Sequence, residues 1–500
     1  MERARAKGAL PVYPGTYYWH TRAEPMERHS TMKTRNASVR NFSLRDHLMG
    51  LVALAPLAAF AVGCGGSSDT FETNNCGDFD SANCVEIEGG DAAALLTAVN
   101  TLEDDTTVIL GPGTFVFTNQ VTIRANGINF VGQGIEETTL SFTDAAAQSN
   151  GVDAVGDDFL IQDLTVLDAK KDGIRVENSA GVTFRRIRAT WTSPGLSSNG
   201  AYGIYPVHSS EVLVEDSFAY NASDAGLYVG QCRNVVVRRN EVRGNVAGLE
   251  IENTQYADVY ENHAEDNTGG IVVFDLPGNP VVGRDVHLHD NTIIRNNRRN
   301  FAPGGTVAQI PPGTGTFVMA SRRVVISDNR YEENNAVDIA IISGLILEEN
   351  PPEDWELDPA VLEDIDDLGL LPGPVRTDYV TNYRTENIVI SGNMHINPGS
   401  SYTLTLLFGQ LLAVLYGDEP SDSVLYDTIG ESMFDAEVAA NNSNDNHICV
   451  GGNTNGSFAS FDAPNQPGGP FLQIDAAPFA PFDCTTLAGG ELEVWNPEAP

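Results

Sequence analysis

Residues 226–275 read GLYVGQCRNVVVRRNEVRGNVAGLEIENTQYADVYENHAEDNTGGIVVFD, and a glycine begins each of three similar units in this stretch. Six such glycines recur with spacings of 22, 30, 23, 22 and 22 residues: Gly151, Gly173, Gly203, Gly226, Gly248 and Gly270. Each is followed by an alternating apolar run and by a second β-rich stretch that ends at Asn or Asp. Such a unit cannot bury its own apolar face, so successive units must stack. The period therefore predicts an all-β chain folded as a single-stranded, right-handed parallel β-helix, a solenoid.

The solenoid is expected to occupy residues 91–400. The stretch DAAALLTAVNTL, residues 91–102, predicts a helix that is capped by Asp91 and covers the open amino-terminal end of the coils. Residues 401–500 are expected to form a carboxyl-terminal cap and an irregular tail, with an apolar helix in YTLTLLFGQLLAVLYG. Long loops on one side of a solenoid usually wall a binding face. Three insertions are expected to do so, near residues 193–202, 297–315 and 346–378.

Asparagines recur with the same period as the glycines. Asn240 and Asn262 lie 22 residues apart, and so do Asn245 and Asn267. The spacing predicts that their amides stack from coil to coil, which is a structural role.

The first 63 residues have the pattern of an export signal. Basic residues precede LMGLVALAPLAAFAVG, residues 48–63, which is too short for a membrane span of about 20 residues. The junction Ala61-Val62-Gly63-Cys64 is followed by a Gly/Ser tether and resembles the lipobox of bacterial lipoproteins. The resemblance implies cleavage before Cys64, lipidation of its thiol and anchoring in the outer membrane. Residues 1–31 are expected not to be structural, and residues 64–90 form the tether; an ordinary signal peptide or a lone membrane anchor is the alternative.

Cysteine spacing and charge narrow the possible cofactors and partners. Cys76 with Cys84 and Cys449 with Cys484 are plausible disulfides in an exported protein, whereas Cys232, inside a repeat, is expected to be packed. No CxxC or CxxCH spacing supports zinc or haem, so no cofactor is expected. The net charge of −39 repels nucleic acid and anionic lipid headgroups. It also opposes long-range attraction of a polyanionic sugar, although salt screens the field.

Alternation along the strands places one row of polar and aromatic side chains on the outside of the coils. If Ile174, Ile204, Leu227 and Leu249 point inward, their neighbours point outward. The outward set comprises Asp172, Arg175, Glu177, Tyr202, Tyr205, His208, Asp224, Tyr228, Gln231, Glu250, Glu252 and Asp275. Rings that cover the apolar faces of sugars, beside carboxylates and amides that bond hydroxyls, suit a polysaccharide.

The motif YGIYPVH, residues 202–208, resembles the Tyr-Gly-apolar-Asp-Pro-His motif of mannuronan C5-epimerases. These are parallel β-helix enzymes related to alginate lyases, within the pectate-lyase-like superfamily that residues 106–123 also resemble. The resemblance implies that Tyr202 and His208 are the acid/base pair, and Arg175 is expected to neutralise the substrate carboxylate. The sequence departs from the motif at Tyr205, which stands in place of the aspartate, and at His208, which comes one residue late.

The remaining candidate residues of this face are expected to bind substrate: Tyr205, Asp224, Tyr228, Gln231, Glu250, Glu252 and Asp275. Several alternatives remain open. The tyrosines would equally form an aromatic ladder, and Glu250 with Glu252 would form a solvated acidic face, hydrolyse a glycoside, or bind Ca²⁺ with Asp275. His287 and His289 alternate outward on a strand without an obvious third metal ligand.

A broader resemblance covers roughly residues 90–400. The chain is similar to exported β-helix-repeat lipoproteins, whose genes often adjoin one for a di-haem cytochrome-type lipoprotein, which implies such a partner. Three functions follow as hypotheses: a lyase or C5-epimerase of an acidic polysaccharide, a non-catalytic surface module that binds glycan or protein, and a structural envelope lipoprotein. Fold alone does not choose among them.

Overall fold

The computed structural model describes residues 73–277, 279, 281–344, 383–403, 407–427, 444, 446–461, 471–474, 482–492 and 494–498. These residues belong to one compact unit, Phe71–Pro500. The expected signal peptide, the attachment site at Cys64 and the acidic insertion at residues 346–378 lie outside the described residues.

The chain is a right-handed parallel β-helix, as the glycine period predicts. Each regular coil contributes one strand to each of three sheets, and the long strands Phe159–Leu167 and Ala180–Thr190 belong to both sheet 2 and sheet 3. Sheet 1 contains Val121–Ile123, Val152–Ala154, Ile174–Glu177, Tyr202–Val207, Ala225–Gly230, Ala247–Glu252, Gly269–Phe274, Thr314–Met319, Val337–Ile342, Val424–Tyr426, Phe458–Phe461 and the antiparallel Phe471–Ile474.

Sheet 2 contains Asn83–Ile87, Thr106–Leu110, Ile128–Val131, Ser210–Glu215, Arg233–Arg238, Gln255–Tyr260, Arg284–His289, Arg322–Ser327, Glu386–Ser391 and Ile448–Gly451. Sheet 3 contains Gly113–Val116, Thr138–Ser141, Phe218–Tyr220, Glu241–Arg243, His263–Glu265, Thr292–Ile294, Arg330–Glu332 and Met394–Ile396. The helices among the described residues are Ala92–Val99 and Leu407–Tyr416, with 3₁₀ turns at Cys76–Asp78 and Thr306–Gln309.

The coils extend beyond both expected bounds of the solenoid. Asn83–Ile87, inside the expected tether, already pairs in parallel with Thr106–Leu110. Val424–Tyr426 and Phe458–Phe461, inside the expected irregular tail, continue sheet 1. None of these strands follows one of the six recurring glycines, so the glycine period does not reveal them.

The recurring glycine has a steric cause. A Cβ on Gly173 would lie 2.4 Å from the carbonyl oxygen of Gly203, and one on Gly203 would lie 2.4 Å from that of Gly226. On Gly226 it would meet the side-chain amide of Asn245, also at 2.4 Å. At these three positions the neighbouring coil therefore leaves no room for a side chain.

The two asparagine ladders are confirmed. The Asn240 amide donates to Asn262 Oδ1, and the Asn245 amide donates to Asn267 Oδ1, each at 3.0 Å. All four side chains are buried. Their amides satisfy backbone groups at the two corners of each coil, such as the carbonyl of Val242, to which Asn267 donates at 3.0 Å.

The amino-terminal cap and the cysteine assignments also agree with the sequence. Asp91 accepts a hydrogen bond from Ala94 N at 2.9 Å, and the helix that it caps buries Leu95 and Val99 on the core. Disulfides join Cys76 to Cys84 and Cys449 to Cys484. Cys232 is a free, buried thiol.

A second apolar cluster lies outside sheet 1; it covers the carboxyl-terminal half and extends to Tyr228, with Tyr202 and Tyr205 packed against it. It joins outward residues of the sheet to Val307 and Ile310 of the 297–315 loop and to Phe408 and Leu412 of the Leu407–Tyr416 helix. The sheet contributes Val272, Phe274, Met319, Ala340 and Ile342. The apolar helix is thus a cap on the solenoid flank, and no helix among the described residues has the length and apolar character to cross a membrane.

Candidate functional site on the outer face of sheet 1

The register of sheet 1 aligns the predicted outward residues in columns. Tyr205 pairs with Arg175, and Tyr228 pairs with Glu250 on the next coil. Glu252 lies in the neighbouring column, paired with Gly230. The amino-terminal half of this face is therefore polar and aromatic, whereas the half beyond Glu252 is apolar and covered.

Three tyrosines form a compact aromatic cluster. The ring centroid of Tyr202 lies 4.6 Å from the centroids of Tyr205 and of Tyr228, and the Tyr205 and Tyr228 centroids are 4.8 Å apart. A Cβ on Gly230 would lie 2.2 Å from the Tyr228 ring, so glycine lets that ring lie against the strand. Burial, with nearby carboxylates, raises the pKa of each phenol, and all three are neutral hydrogen-bond donors.

A group of carboxyls adjoins the tyrosines. Glu250 and Glu252 are buried and hydrogen-bonded to each other. Burial, followed by the charges of neighbouring acids, raises the pKa of Glu250 well above its usual range and that of Asp224 to about 8. Asp224 also bonds to the Tyr202 side chain. At neutral pH these acids hold protons that ordinary surface carboxylates lack.

Amide side chains complete the environment of Glu252. Gln231 donates to Glu252 Oε1 at 2.8 Å and to the Tyr228 hydroxyl at 3.2 Å, which places it in the predicted site. Asn279 donates to the same Glu252 oxygen at 2.9 Å. Sequence reasoning missed Asn279, because it lies in an irregular connection without periodic signal.

Two further aspartates flank the cluster. Burial raises the pKa of Asp172 to about 6, and the Lys171 ammonium, 3.7 Å away, opposes the shift. Burial raises the pKa of Asp275 to about 7. Asp275 accepts from Gly283 N at 2.7 Å and lies 4.0 Å from Arg322, so it anchors the connection that carries Asn279.

Arg175 has acidic partners that the sequence analysis did not assign. Its Nε donates to Asp153 Oδ1 at 2.8 Å, and its Nη1 lies 3.2 Å from Glu177. Asp153 also binds Arg124 at 2.6 Å. Arg175 and the half-exposed Arg124 are thus both cations of this patch, and both are paired with Asp153. The role of Arg175 in neutralising a substrate carboxylate stays a prediction. Asp153 lies 22 residues before Arg175, a spacing that could have revealed it.

His208 occupies a turn. Its φ of 49° belongs to a left-handed position shared by Asn178, Gln231 and Asn253 at the corresponding corners of other coils. Its Nδ1 lies 3.8 Å from Glu177 Oε1, and its side chain is 40% exposed. His208 and Arg175 thus meet at Glu177, while Tyr202 bonds to Asp224. The catalytic roles of Tyr202, His208 and Arg175 stay predictions.

Potential metal-ligand atoms come close together on sheet 2 of the solenoid. Within the described ranges, one group of three His or carboxylate donors lies within 4.8 Å of one another, and it consists of Asp258, His287 and His289 on sheet 2. The expected Ca²⁺ ligands Glu250, Glu252 and Asp275 do not form such a group. Chemically, the sheet 1 face offers neutral phenols, protonated carboxyls and a mixed ion-pair network.

This fold and face define the class as a right-handed parallel β-helix protein with an outer polar and aromatic strip. A family model described as the right handed beta helix region matches residues 145–297 and 195–350. No curated protein matches the chain.

Three solved structures illustrate what the chain is similar to. The A-module of mannuronan C-5 epimerase AlgE4 from Azotobacter vinelandii is 15% identical, with 76% of this chain and 94% of that chain covered and a TM-score of 0.43. The AlgE6 A-module from the same organism is 18% identical, with 78% and 96% covered and a TM-score of 0.43. Pectate lyase Pel9A is 12% identical, with 69% and 80% covered and a TM-score of 0.39. At these identities and TM-scores the likeness carries no argument about function.

Proposed function

We propose that the amino-terminal half of the sheet 1 outer face binds a polysaccharide and modifies it by proton transfer, as a lyase or C5-epimerase does. The observation that carries the proposal is the contact between the tyrosine cluster and the carboxyls that hold protons near neutral pH. Aromatic rings cover the apolar faces of sugars, and the adjoining acids, phenols and amides bond hydroxyl groups.

The same face carries groups suited to proton abstraction beside a sugar carboxylate. An acid or base works best when its pKa lies near the operating pH, and the half-buried Asp224, whose pKa is raised to about 8, has such a value. Arg124 and Lys171, with side chains 51% and 46% exposed, would neutralise a uronate. A uronate polymer is therefore the proposed substrate class, despite the negative charge of the chain.

A second candidate function is glycan binding without turnover. It is favoured by the burial of Glu250, which is 1% exposed, and by the ion pairs that occupy Arg175. A carboxyl that substrate cannot reach serves structure, whereas the half-buried Tyr202 and Tyr205 still offer rings to a sugar.

The test incubates the full chain with polymannuronate, polygalacturonate and a neutral glucan. Elimination yields unsaturated ends that absorb in the ultraviolet, and epimerisation changes the proton NMR spectrum. We expect His208→Ala, Tyr202→Phe or Asp224→Asn to lower turnover about 10²–10⁴-fold where the residue is the acid or base. The control is Tyr220→Phe, which removes a phenol from sheet 3.

The outcomes separate the two functions. Product formation that is unchanged in all three variants rejects the assigned roles. Binding that Tyr205→Ala abolishes, without product from any polymer, selects the binding module. If the protein neither binds nor converts any of the three glycans, the proposal is rejected.

We also propose export and lipid anchoring at Cys64. The two disulfides support an oxidising compartment. Mass spectrometry of the mature amino terminus tests this, and an unmodified Cys64 or retained upstream residues would contradict it. The cytochrome-type partner remains a proposal from resemblance, testable by cross-linking in the source membrane.

A further inference from the structure

We propose that Asp258, His287 and His289 bind a divalent transition-metal ion, with Zn²⁺ as the best fit. The three residues come from neighbouring strands of sheet 2, Gln255–Tyr260 and Arg284–His289. Asp258 pairs in register with His287, and His289 is two residues further along, so all three side chains leave the same face of the sheet.

The potential ligand atoms are spaced for one ion. Asp258 Oδ1 lies 3.0 Å from His289 Nε2 and 3.7 Å from His287 Nδ1. One ligand atom from each residue lies within 4.8 Å of the others. Zn²⁺ bonds of about 2.0–2.2 Å in a tetrahedron put ligand atoms roughly 3.4 Å apart. Small adjustments of the two rings would therefore complete the site.

The outer nitrogens of both rings have the partners that metal-bound histidines usually have. His289 Nδ1 lies 2.8 Å from Asp290 Oδ2, and His287 Nε2 lies 3.0 Å from Ser327 Oγ. When each ring donates its outer N–H to these oxygens, the inner nitrogens are left as lone-pair donors directed toward Asp258. Without an ion, His289 Nε2 is hydrogen-bonded to Asp258 Oδ1 at 3.0 Å, and a bound metal would take the place of the proton between these two atoms. The partners of the outer nitrogens are independent of the ligand spacing and would hold both rings in position for the ion.

Packing holds the rings in place while leaving the site accessible. The Tyr260 ring stacks on His289 with centroids 5.0 Å apart, and the two imidazoles are 4.2 Å apart. The side chains of Asp258, His287 and His289 are 18%, 28% and 22% exposed. Half-buried ligands of this kind leave room for a fourth ligand, such as water.

The carboxyl-terminal tail attaches to the same sheet on either side of the site. Arg323 donates to the carbonyl of Ala488 at 3.3 Å, and Arg238 lies 3.2 Å from Glu498. Arg323 belongs to the strand that follows His289 and Arg238 to the strand that precedes Asp258. The ion would therefore lie between the two attachment points of the tail.

The ligand set restricts the choice of ion. Two imidazoles and one carboxylate suit Zn²⁺, Co²⁺ or Ni²⁺, whereas Ca²⁺ and Mg²⁺ require oxygen ligands. Three protein ligands with an open fourth position also describe catalytic zinc sites. The proposal concerns binding and is independent of the polysaccharide function, since it uses another face of the solenoid.

The test uses the tag-free full chain, freed of metal by chelator and dialysed. We expect one equivalent of Zn²⁺ by calorimetry, and with Co²⁺ a visible absorption band typical of low-coordinate nitrogen and oxygen ligation. His287→Ala and Asp258→Asn should each weaken Zn²⁺ binding at least tenfold. Asp290→Asn, which leaves all three ligands in place, should weaken it about 10–100-fold.

The matched control is His263→Ala, because His263 also pairs with a carboxylate, Glu265, at 3.0 Å on sheet 3. It should leave affinity and stoichiometry unchanged. Circular dichroism without metal verifies that each variant folds, and if His287→Ala fails to fold, Asp290→Asn decides. Absence of Zn²⁺ binding at millimolar concentration, or binding that survives the combined His287→Ala and His289→Ala changes, overturns the proposal.

Discussion

Replacing the buried Asp172 by asparagine should make the protein more stable at alkaline pH and leave it unchanged at acidic pH. Asp172 is 1% exposed and lies beside the tyrosine cluster. Burial raises its pKa from 3.8 to about 6 against the opposing charges of Lys171 and Arg175. The folded state therefore retains a proton that the unfolded chain releases.

The sign and size of the effect follow from proton linkage. A raised carboxyl pKa contributes stability that is fully present below pH 3.8 and is lost as the pH rises through about 6. A shift of about two pH units corresponds to about 3 kcal/mol at 1.36 kcal/mol per unit. An unfolding entropy of about 2 cal/mol/K per residue over Phe71–Pro500 converts 3 kcal/mol into a Tm difference of about 3 °C.

Scanning calorimetry of the parent and Asp172→Asn at pH 4 and pH 8 measures this difference. At pH 8 the Tm of Asp172→Asn should exceed the Tm of the parent by about 3 °C more than it does at pH 4. Asp144→Asn, which removes an exposed carboxylate, is the control and should show no such change. Parallel pH dependences of Asp172→Asn and the parent would refute the assignment of a raised pKa to Asp172.

Two further predictions concern the solenoid itself. Asn267→Ala removes an amide that accepts from Asn245 N and Nδ2 and donates to Val242 and Asn296, all near 3.0 Å. Because buried unsatisfied groups cost about 1–3 kcal/mol each, the free energy of unfolding in a denaturant titration should fall by at least about 4 kcal/mol. A decrease below about 1 kcal/mol would contradict the structural role of the asparagine ladder. Ile251→Asp places an unpaired charge in the core, where Ile251 is 1% exposed. The substitution should lower the free energy of unfolding by several kcal/mol, which thermal melting followed by circular dichroism would detect. A melting curve like that of the parent would show that the core tolerates the charge.

The fold was predictable because its signal is repeated. The steric limit at Gly173, Gly203 and Gly226 recurs on successive coils, so the sequence displays it as a period. The strands Asn83–Ile87 and Phe458–Phe461 follow none of the six recurring glycines, and only their pairing identifies them. A repeated constraint can be read from one sequence, whereas a single long-range contact cannot.

The site was predictable to the extent that it follows the strand alternation. The outward positions of Tyr205, Tyr228 and Glu250 agree with the register. The burial of Glu250 was not predictable, because it depends on what covers the face. Asp258 was missed as the third donor beside His287 and His289, because the two strands are joined by an irregular connection that breaks the period.

The acids of the sheet 1 face are costly to stability, and that cost argues for a functional role. Beyond Glu252 the same columns carry Val272 and Phe274, which the covering loop and helix bury with a gain in stability. Apolar residues at Glu250 and Glu252 would extend that cover, whereas buried carboxyls must be protonated or paired. Perturbed titratable groups of this kind concentrate at functional sites. A functional role requires that Asp224→Asn, which removes the half-buried carboxyl of this group, weakens glycan binding or turnover; a variant that folds and is fully active would make the acids structural.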